Sequence, residues 1–378
     1  MARAMGVTVV SDKPVLQFVD VLARAGAETL VVELACRLDP ERFRPAVACF
    51  RQEDFHEELQ AAGKTVHVVP KRRPFDLRLL LGIARLVRRQ RCALVHTHDI
   101  QSATYTSLAA RLVRVPVVLT VHGLGLLRQK RAPKLLPRLA RWLDRVVFVG
   151  HWLERVAAEE FGFRPLRPVV IHNGVDVERF RPGPADPRLK EELGLPQGAP
   201  VVGTVGNLRA VKDYPTLLRA FAIALERVPE AVLVFVGDGE ERGTLETLAA
   251  ELEVGANVRF VGRREDVPDV LRCFDIFALS SLTEGISVAL LEAMGSGLPA
   301  VATETGGNPE VVAAGQTGLL VPVGDHEALG RTLAELLADE PRRRQWGEAA
   351  RRRVVEEFSL ERMVRAYENL YDEVLRGR

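Results

Sequence analysis

The chain has 378 residues, 47% of them hydrophobic and 27% charged, with no low-complexity tract; this excludes disordered and fibrous classes and leaves room for two α/β cores of similar size. No run of about 18 apolar residues occurs, and the opening MARAMGVTVVSDKP lacks the apolar segment of a signal peptide, so the expectation is a cytoplasmic protein. The net charge of +2 hides an asymmetry: up to Val175 there are 28 Lys and Arg against 16 Asp and Glu (+12), leaving 24 against 34 (−10) for the rest. A basic half beside an acidic half fits an anionic partner for the first half, such as phospholipid or a phosphorylated acceptor, better than it fits a nucleic-acid binder.

In chain order, Val- and Ile-rich runs alternate with amphipathic segments, the pattern of repeated βα units around a parallel sheet. The first strands are expected at Val15–Leu22, Pro45–Phe50, Thr65–Pro70, Ala93–His98, Pro116–Gly123, Arg145–Gly150 and Val169–His172. Between them, Asp76–Arg91 reads as a helix with Leu77, Leu80, Leu81, Ala84 and Leu86 on its apolar side. The rhythm breaks at Gly174–Pro200, where RFRPGPADP is dense in proline and charge. The expected domains are therefore 1–176 and 201–358, joined by a linker over 177–200. Strands resume at Val201–Val205, Val232–Val236, Asn257–Val261, Asp275–Ser280, Pro299–Thr303 and Gly318–Val323. The fold class is two doubly wound, Rossmann-like α/β domains, which bind ligands at the carboxyl ends of their strands and so face each other across a cleft. A last amphipathic helix, Ser359–Leu375, has no strand after it and is a candidate to pack back on the first domain.

Two constellations carry chemistry. In Glu284-Gly285-Ile286-Ser287-Val288-Ala289-Leu290-Leu291-Glu292, two carboxylates straddle a loop-to-helix junction. Free amides of the first helical turn favour phosphate. Glu292, about 9 Å further along the axis, can accept from a diol such as that of ribose, and Glu284 can hold hydroxyls of a sugar attached to the phosphate. Both glutamates also read as solvated helix-end charges. In Gly203–Asp213 (GTVGNLRAVKD), glycines allow close backbone approach, and Arg209 and Lys212 bring two cations to a diphosphate, doing the work of a metal.

Other features are weaker. His96 and His98 share a strand face ahead of Asp99, a possible metal pair without a convincing third ligand. Val236-Gly237-Asp238-Gly239 begins like a dinucleotide fingerprint, but Arg242 takes the third glycine's place, which speaks for a tight βα turn. Cys36, Cys49, Cys92 and Cys273 have neither zinc nor disulfide spacing. Lys71–Arg73, the arginines of Arg85–Arg91 and the segment Leu126–Arg145 form basic patches, candidates for a membrane surface.

Over nearly its whole length the chain resembles the retaining family-4 glycosyltransferases of GT-B architecture. The resemblance rests on EGISVALLEAMGSGLPAVAT, VKDYPTLLRAFA, FVGDGEER, VRFVGRREDVP, ETGGNPEVV, TGLLVPVGD and IHNGVDVERFRP, in that family's order. It implies a nucleotide-sugar donor linked through UDP or GDP, a glycan or lipid-linked acceptor, and no metal or other cofactor. Residue by residue, it implies that Lys212 binds the diphosphate, Glu292 the ribose and Glu284 the sugar. The amides of Gly285, Ile286, Ser287 and Val288 would surround phosphates and sugar. His122 matches the histidine that contacts the donor sugar, and Gly26, in RAGAE, stands in the family's glycine loop with Ala25 replacing its first glycine. Backbone around Gly262 and Arg263 would meet the base. After Gly206 the family carries Arg; here the position is Asn207, and Arg209 is expected to reach back and supply the charge. The rival readings are a nucleotide-sugar 2-epimerase and an idle nucleotide-sugar-binding protein.

Overall fold

A computed structural model describes residues 13–23, 26–71, 76–128 and 132–377. The chain divides into two units, Met1–Ile171 with Met363–Arg378, and His172–Arg362. In the first, the described strands β1 (Lys13–Leu22), β2 (Phe43–Gln52), β3 (Val66–Val68), β4 (Leu94–Thr97), β5 (Val117–Val121), β6 (Arg145–Phe148) and β7 (Pro168–Val170) form one parallel sheet in the order β3-β2-β1-β4-β5-β6-β7. In the second, β8 (Val201–Val205), β9 (Val232–Val236), β10 (Val258–Phe260), β11 (Ile276–Leu279), β12 (Ala300–Thr303) and β13 (Gly318–Val321) run parallel in the order β10-β9-β8-β11-β12-β13. Chain order reverses between β1 and β4 and between β8 and β11, and a crevice at such a switch point receives the ligand in doubly wound sheets. Central strands such as β9, VLVFV, and β11, IFAL, are buried at every position, because helices cover both faces of a parallel sheet.

The stretch 177–200 is not a linker. Val177, Phe180, Leu189, Leu193 and Leu195 sit in the second unit's core, and Pro187–Glu192 is a helix capped by the Asp186 side chain. Its apolar residues are few and aperiodic, so pattern reading missed them, yet each fills a place in a core built by other elements. The second unit consequently starts at His172, before the boundary expected at 176.

The helix Leu77–Arg89 begins after Asp76, whose carboxylate accepts from the amides of Arg78 and Leu79. Its packed side overlaps the expected one in part: Ala84 is buried and Leu80 and Leu86 pack against the core, as do Leu79, Ile83 and Val87, whereas Leu77 is 79% and Leu81 49% exposed. This helix has apolar residues around much of its surface, and only its neighbours, the helix Ile100–Val113 and the sheet, decide which of them pack.

The C-terminal helix, Leu360–Arg376, belongs to the first unit from Met363 onward. It buries Tyr367, Leu370, Tyr371 and Val374. Around that apolar side, Asp372 pairs with Lys13 at 2.7 Å and with Arg42 at 2.9 Å, and Glu368 pairs with Arg42 at 2.9 Å and accepts the Asp39 amide at 2.7 Å.

Candidate functional site

The second unit's site forms at the carboxyl ends of β8 and β11. After β8 the chain turns through Gly206, Asn207 and Leu208 into a short 3-10 turn, Ala210–Lys212. Gly206 and its neighbour Gly237 are fixed by contact: Gly237 has φ +137°, and a Cβ there would lie 2.0 Å from the Gly206 carbonyl oxygen. A Cβ on Gly239 would lie 2.4 Å from the Leu208 oxygen. The glycines of the fingerprint-like stretch therefore let this loop press against β9's turn, and Arg242 opens the next helix, Arg242–Glu251.

After β11, Ser280 Oγ donates to the Lys212 carbonyl at 2.8 Å and the Leu282 amide to the Val211 carbonyl at 2.9 Å, so the two loops are tied together. This brings Lys212 Nζ to 2.6 Å from Glu284 Oε1, which also accepts from Ser281 Oγ at 2.7 Å. The Glu284 loop is itself held by two glycines. Gly306 has φ +59°, and a Cβ there would lie 2.0 Å from the Glu284 carbonyl oxygen; the Gly307 amide donates to Gly285 at 2.8 Å. Asn173 Nδ2 donates to the Ile286 carbonyl at 3.0 Å.

Ser287 caps the helix Val288–Gly295, its hydroxyl accepting from the Leu290 amide. The amides of Gly285, Ile286, Ser287 and Val288 have no acceptor among the described residues. Unpaired amides and a lysine ammonium thus meet at one rim, an arrangement made for an anion. On the same helix Glu292 is partly buried, with no hydrogen-bond partner for its carboxylate among the described residues. Burial pushes its pKa up to about 7, against a smaller opposing pull from Arg179.

Asn207 is partly buried, and Arg209 is exposed with no side-chain partner among the described residues. Arg263 is likewise exposed and follows Gly262, whose carbonyl accepts the Gly237 amide at 2.8 Å.

In the first unit, His122 follows β5, and its Nε2 lies 3.0 Å from His98 Nδ1. Burial pulls the His122 pKa down to about 4 and holds His96 and His98 well below the usual histidine range, so all three rings are neutral at pH 7. His96 bonds Tyr371 and Thr120 and His98 bonds Gln17 and His122, so all four ring nitrogens are taken up by protein partners and the metal-pair reading fails. No group of three His, Cys, Asp or Glu side chains converges on a metal position among the described residues. Gly26 opens the exposed start of the helix Gly26–Arg37; Arg24 and Ala25 of the same loop lie outside the described residues.

Sequence reading missed Ser281, Asn173 and Gln17. None stands at a diagnostic spacing; Asn173 lay within the quoted IHNGVDVERFRP without a role, and Gln17 is a lone polar residue in a buried strand.

Two doubly wound parallel-sheet units, with free amides and a lysine at the second switch point, define an α/β architecture that leaves the activity open, and comparison with known proteins specifies it. Residues 186–353 match the family model "Glycosyl transferases group 1" and residues 24–179 match "Glycosyltransferase Family 4". The chain is 33% identical over 311 residues to an N-acetyl-alpha-D-glucosaminyl L-malate synthase of Bacillus anthracis, covering 80% of each chain. It is 29% identical over 309 residues to a UDP-Gal:alpha-D-GlcNAc-diphosphoundecaprenol alpha-1,3-galactosyltransferase of Escherichia coli, covering 78% of this chain and 79% of that one. Among solved structures, Anabaena Alr3699/HepE in complex with UDP superposes with a TM-score of 0.86 at 22% identity, over 95% of this chain and all of that one. The chain belongs to the family-4 glycosyltransferases and has the GT-B fold.

Proposed function

We propose that the enzyme moves a sugar, with retention of anomeric configuration, from a UDP- or GDP-sugar to a hydroxyl of a glycan or lipid-linked acceptor, without a metal or other cofactor. The observation that carries this reading is the rim where Lys212 Nζ meets Glu284 beside the unpaired amides of 285–288. A diphosphate entering it draws Lys212 from Glu284 and frees that carboxylate for sugar hydroxyls. Glu292 accepts from the ribose diol, Arg263 stands by the base, and Lys212 with Arg209 neutralises charge on the leaving diphosphate. Arg209 has the freedom to reach back past Asn207, being exposed and unpaired. His122 meets the donor sugar. The acceptor hydroxyl attacks from the side the diphosphate leaves, and a phosphate oxygen takes its proton.

The relatives' names support the substrate class: one uses UDP-Gal and a diphosphoundecaprenol acceptor, and a structural neighbour was solved with UDP. Thermal unfolding against UDP- and GDP-sugars in the presence of chelator tests the donor site. A midpoint rise with one nucleotide class, lost in Lys212→Ala, is the expected result; no rise with any of them defeats the reading. Turnover with inverted product stereochemistry defeats retention alone, and binding without transfer to any hydroxyl acceptor favours the idle binder. If Arg209→Ala leaves binding and turnover unchanged while Lys212→Ala abolishes them, Arg209 does not compensate for Asn207.

No helix among the described residues is long and apolar enough to cross a membrane. We further propose that the enzyme works in the cytoplasm and touches an anionic membrane surface; the first half's positive charge and the exposed Leu77 and Leu81 among Arg78, Arg85, Arg88 and Arg89 support this.

A further inference from the structure

At the first unit's switch point a carboxylate and an ammonium stand on either side of one amide. Asp20 lies near the end of β1, beyond Phe18, the last residue of that strand in register with β4. Gln101 is in the first turn of the helix Ile100–Val113 that follows β4, and Lys71 comes after β3. Gln101 Nε2 donates to Asp20 Oδ2 at 2.8 Å, and Lys71 Nζ donates to Gln101 Oε1. These partners fix the orientation of the amide, because an ionised carboxylate only accepts and an ammonium only donates. The ammonium also rests over two rings, 5.8 Å from the centroid of Phe50 and 5.7 Å from that of Tyr105. Asp99, which caps the same helix, is spent on structure: it accepts from the Ser102 amide at 2.7 Å, the Ser102 hydroxyl at 2.6 Å and the Asp20 amide at 2.7 Å. The backbone at Asp20 is thereby tied to the helix that carries Gln101.

Both charged groups keep polar capacity in reserve. Asp20 Oδ1 has no partner among the described residues, and Gln101 takes one of the three hydrogens of the Lys71 ammonium. Arg51, the other cation whose charge reaches Asp20, pairs with Glu53 at 2.7 Å. Burial raises the Asp20 carboxyl above its usual range, against the pull of Lys71 and Arg51, so it is a more basic acceptor than a solvated aspartate. Asp20, Lys71 and Gln101 are all partly exposed. In the second unit Lys212 and Glu284 close directly on each other. Here the glutamine keeps the two charges apart, and one amide with a hydrogen bond on either side holds them no more than about 8 Å from each other.

We propose that Asp20 and Lys71 recognise the acceptor, and that the acceptor is a sugar or polyol bearing an anionic group, phosphate or carboxylate, within about 8 Å of the hydroxyl that Asp20 holds. The hydroxyl donates to Asp20 Oδ1, and the anion takes the hydrogens of Lys71 that Gln101 leaves over. The crevice at the carboxyl ends of β1 and β4 is where a doubly wound sheet takes its ligand. Specificity comes from requiring both groups at once: a neutral sugar leaves the ammonium without an anion, and a bare anion meets the Asp20 carboxylate as a like charge. Gln101 is a positioning residue, since it sets the spacing of the two charges. A free sugar phosphate and a lipid-linked one share this chemistry. The assignment of the ligand as acceptor rests on the reading of the chain as a transferase acting on a hydroxyl.

Calorimetric titration of the full chain, with UDP or GDP in excess, against glucose 1-phosphate, glucuronate, glucose and inorganic phosphate tests the proposal. At least one of the two charged sugars should bind at least about tenfold more tightly than glucose and than phosphate, the worth of one charge-assisted hydrogen bond. Equal binding of charged and neutral sugars, or binding of none, overturns it. The decyl ester of glucose 1-phosphate separates the sources: tighter binding than the free compound assigns a lipid-linked acceptor, equal binding a free one. Lys71→Met keeps the stem against the two rings and should abolish the preference for the charged sugar, whereas Lys71→Arg should retain part of it. Asp20→Asn should weaken the charged sugar and glucose alike; wild-type affinities in this variant overturn the role of Asp20. Gln101→Ala lets Lys71 close on Asp20, so it should lose about tenfold in affinity for the charged sugar with no fall in the unliganded unfolding midpoint. A lowered midpoint at wild-type affinity assigns Gln101 a packing role and overturns its positioning of the charges. UDP or GDP should bind these variants as it binds wild type; failure of both nucleotides to bind the wild-type chain counts against the donor reading instead.

Discussion

At the scale of single residues, Glu292 makes a pH-dependent prediction. Its pKa is raised from 4.5 to about 7 by burial, so between these values the folded protein holds a proton that the unfolded chain releases. Stability is therefore unaffected below about 4.5, falls through this window by up to about 1.4 kcal/mol per pH unit, and carries the full penalty above 7. Because the carboxylate is partly exposed, about 2 kcal/mol is a fair total. Glu292→Gln should match wild type in thermal midpoint at pH 4 and exceed it at pH 8. Nucleotide affinity should move the other way: a diol needs the ionised acceptor, so wild-type affinity should strengthen from pH 6 to pH 8 while the variant's stays weak and flat. Equal midpoints at pH 8 would refute the buried-carboxyl account. Glu292 was legible in the sequence from its place beyond a loop-to-helix junction, but its protonation was not, because burial is a property of everything packed around it.

At the scale of elements, the second unit's rim is shaped by glycines whose necessity is a matter of contact. Gly306→Ala combines φ +59° with a Cβ 2.0 Å from the Glu284 carbonyl oxygen. The loop must shift, so stability should fall by more than about 1 kcal/mol, with a loss of donor affinity greater than that of an exposed Gly315→Ala control, whose Cβ meets nothing within 4 Å. Parallel titrations of the two variants with the nucleotide that binds wild type decide it; equal losses would mean that the loop's position does not matter. The C-terminal helix gives a second test. Tyr371 is fully buried with Phe43 and His96 against its ring, so Tyr371→Ala should cost about 3–5 kcal/mol, seen as a lower unfolding midpoint. The existence of this helix was plain from its periodicity, and its docking was conceivable because no strand followed it. The partners Lys13, Arg42 and Gln17 lie more than 300 residues away in sequence, and no local pattern announces them.

At the scale of the whole molecule, charge is the readable quantity. The +12 of the first 175 residues predicts co-sedimentation with anionic liposomes at low salt, weakened at high salt as screening shortens the reach of the arginines. Leu77→Ser with Leu81→Ser should weaken the salt-resistant part alone, since both side chains are already exposed and the fold loses nothing. Indifference of sedimentation to salt and to both substitutions would rule the contact out.

The sequence by itself determined the two parallel sheets, through the alternation of buried apolar strands with amphipathic helices, and it singled out the residues proposed for the donor site, through a loop-to-helix junction and motif stretches shared with a known family. Both are local properties, written in neighbouring residues. Tertiary structure alone decided that 177–200 belongs to a core, which side of Leu77–Arg89 packs, that Lys212 rests on Glu284, and that Gln101 stands between Asp20 and Lys71. Each of these joins groups distant in the chain, where the outcome depends on which surfaces and polar atoms compete for the same partner once the chain has closed.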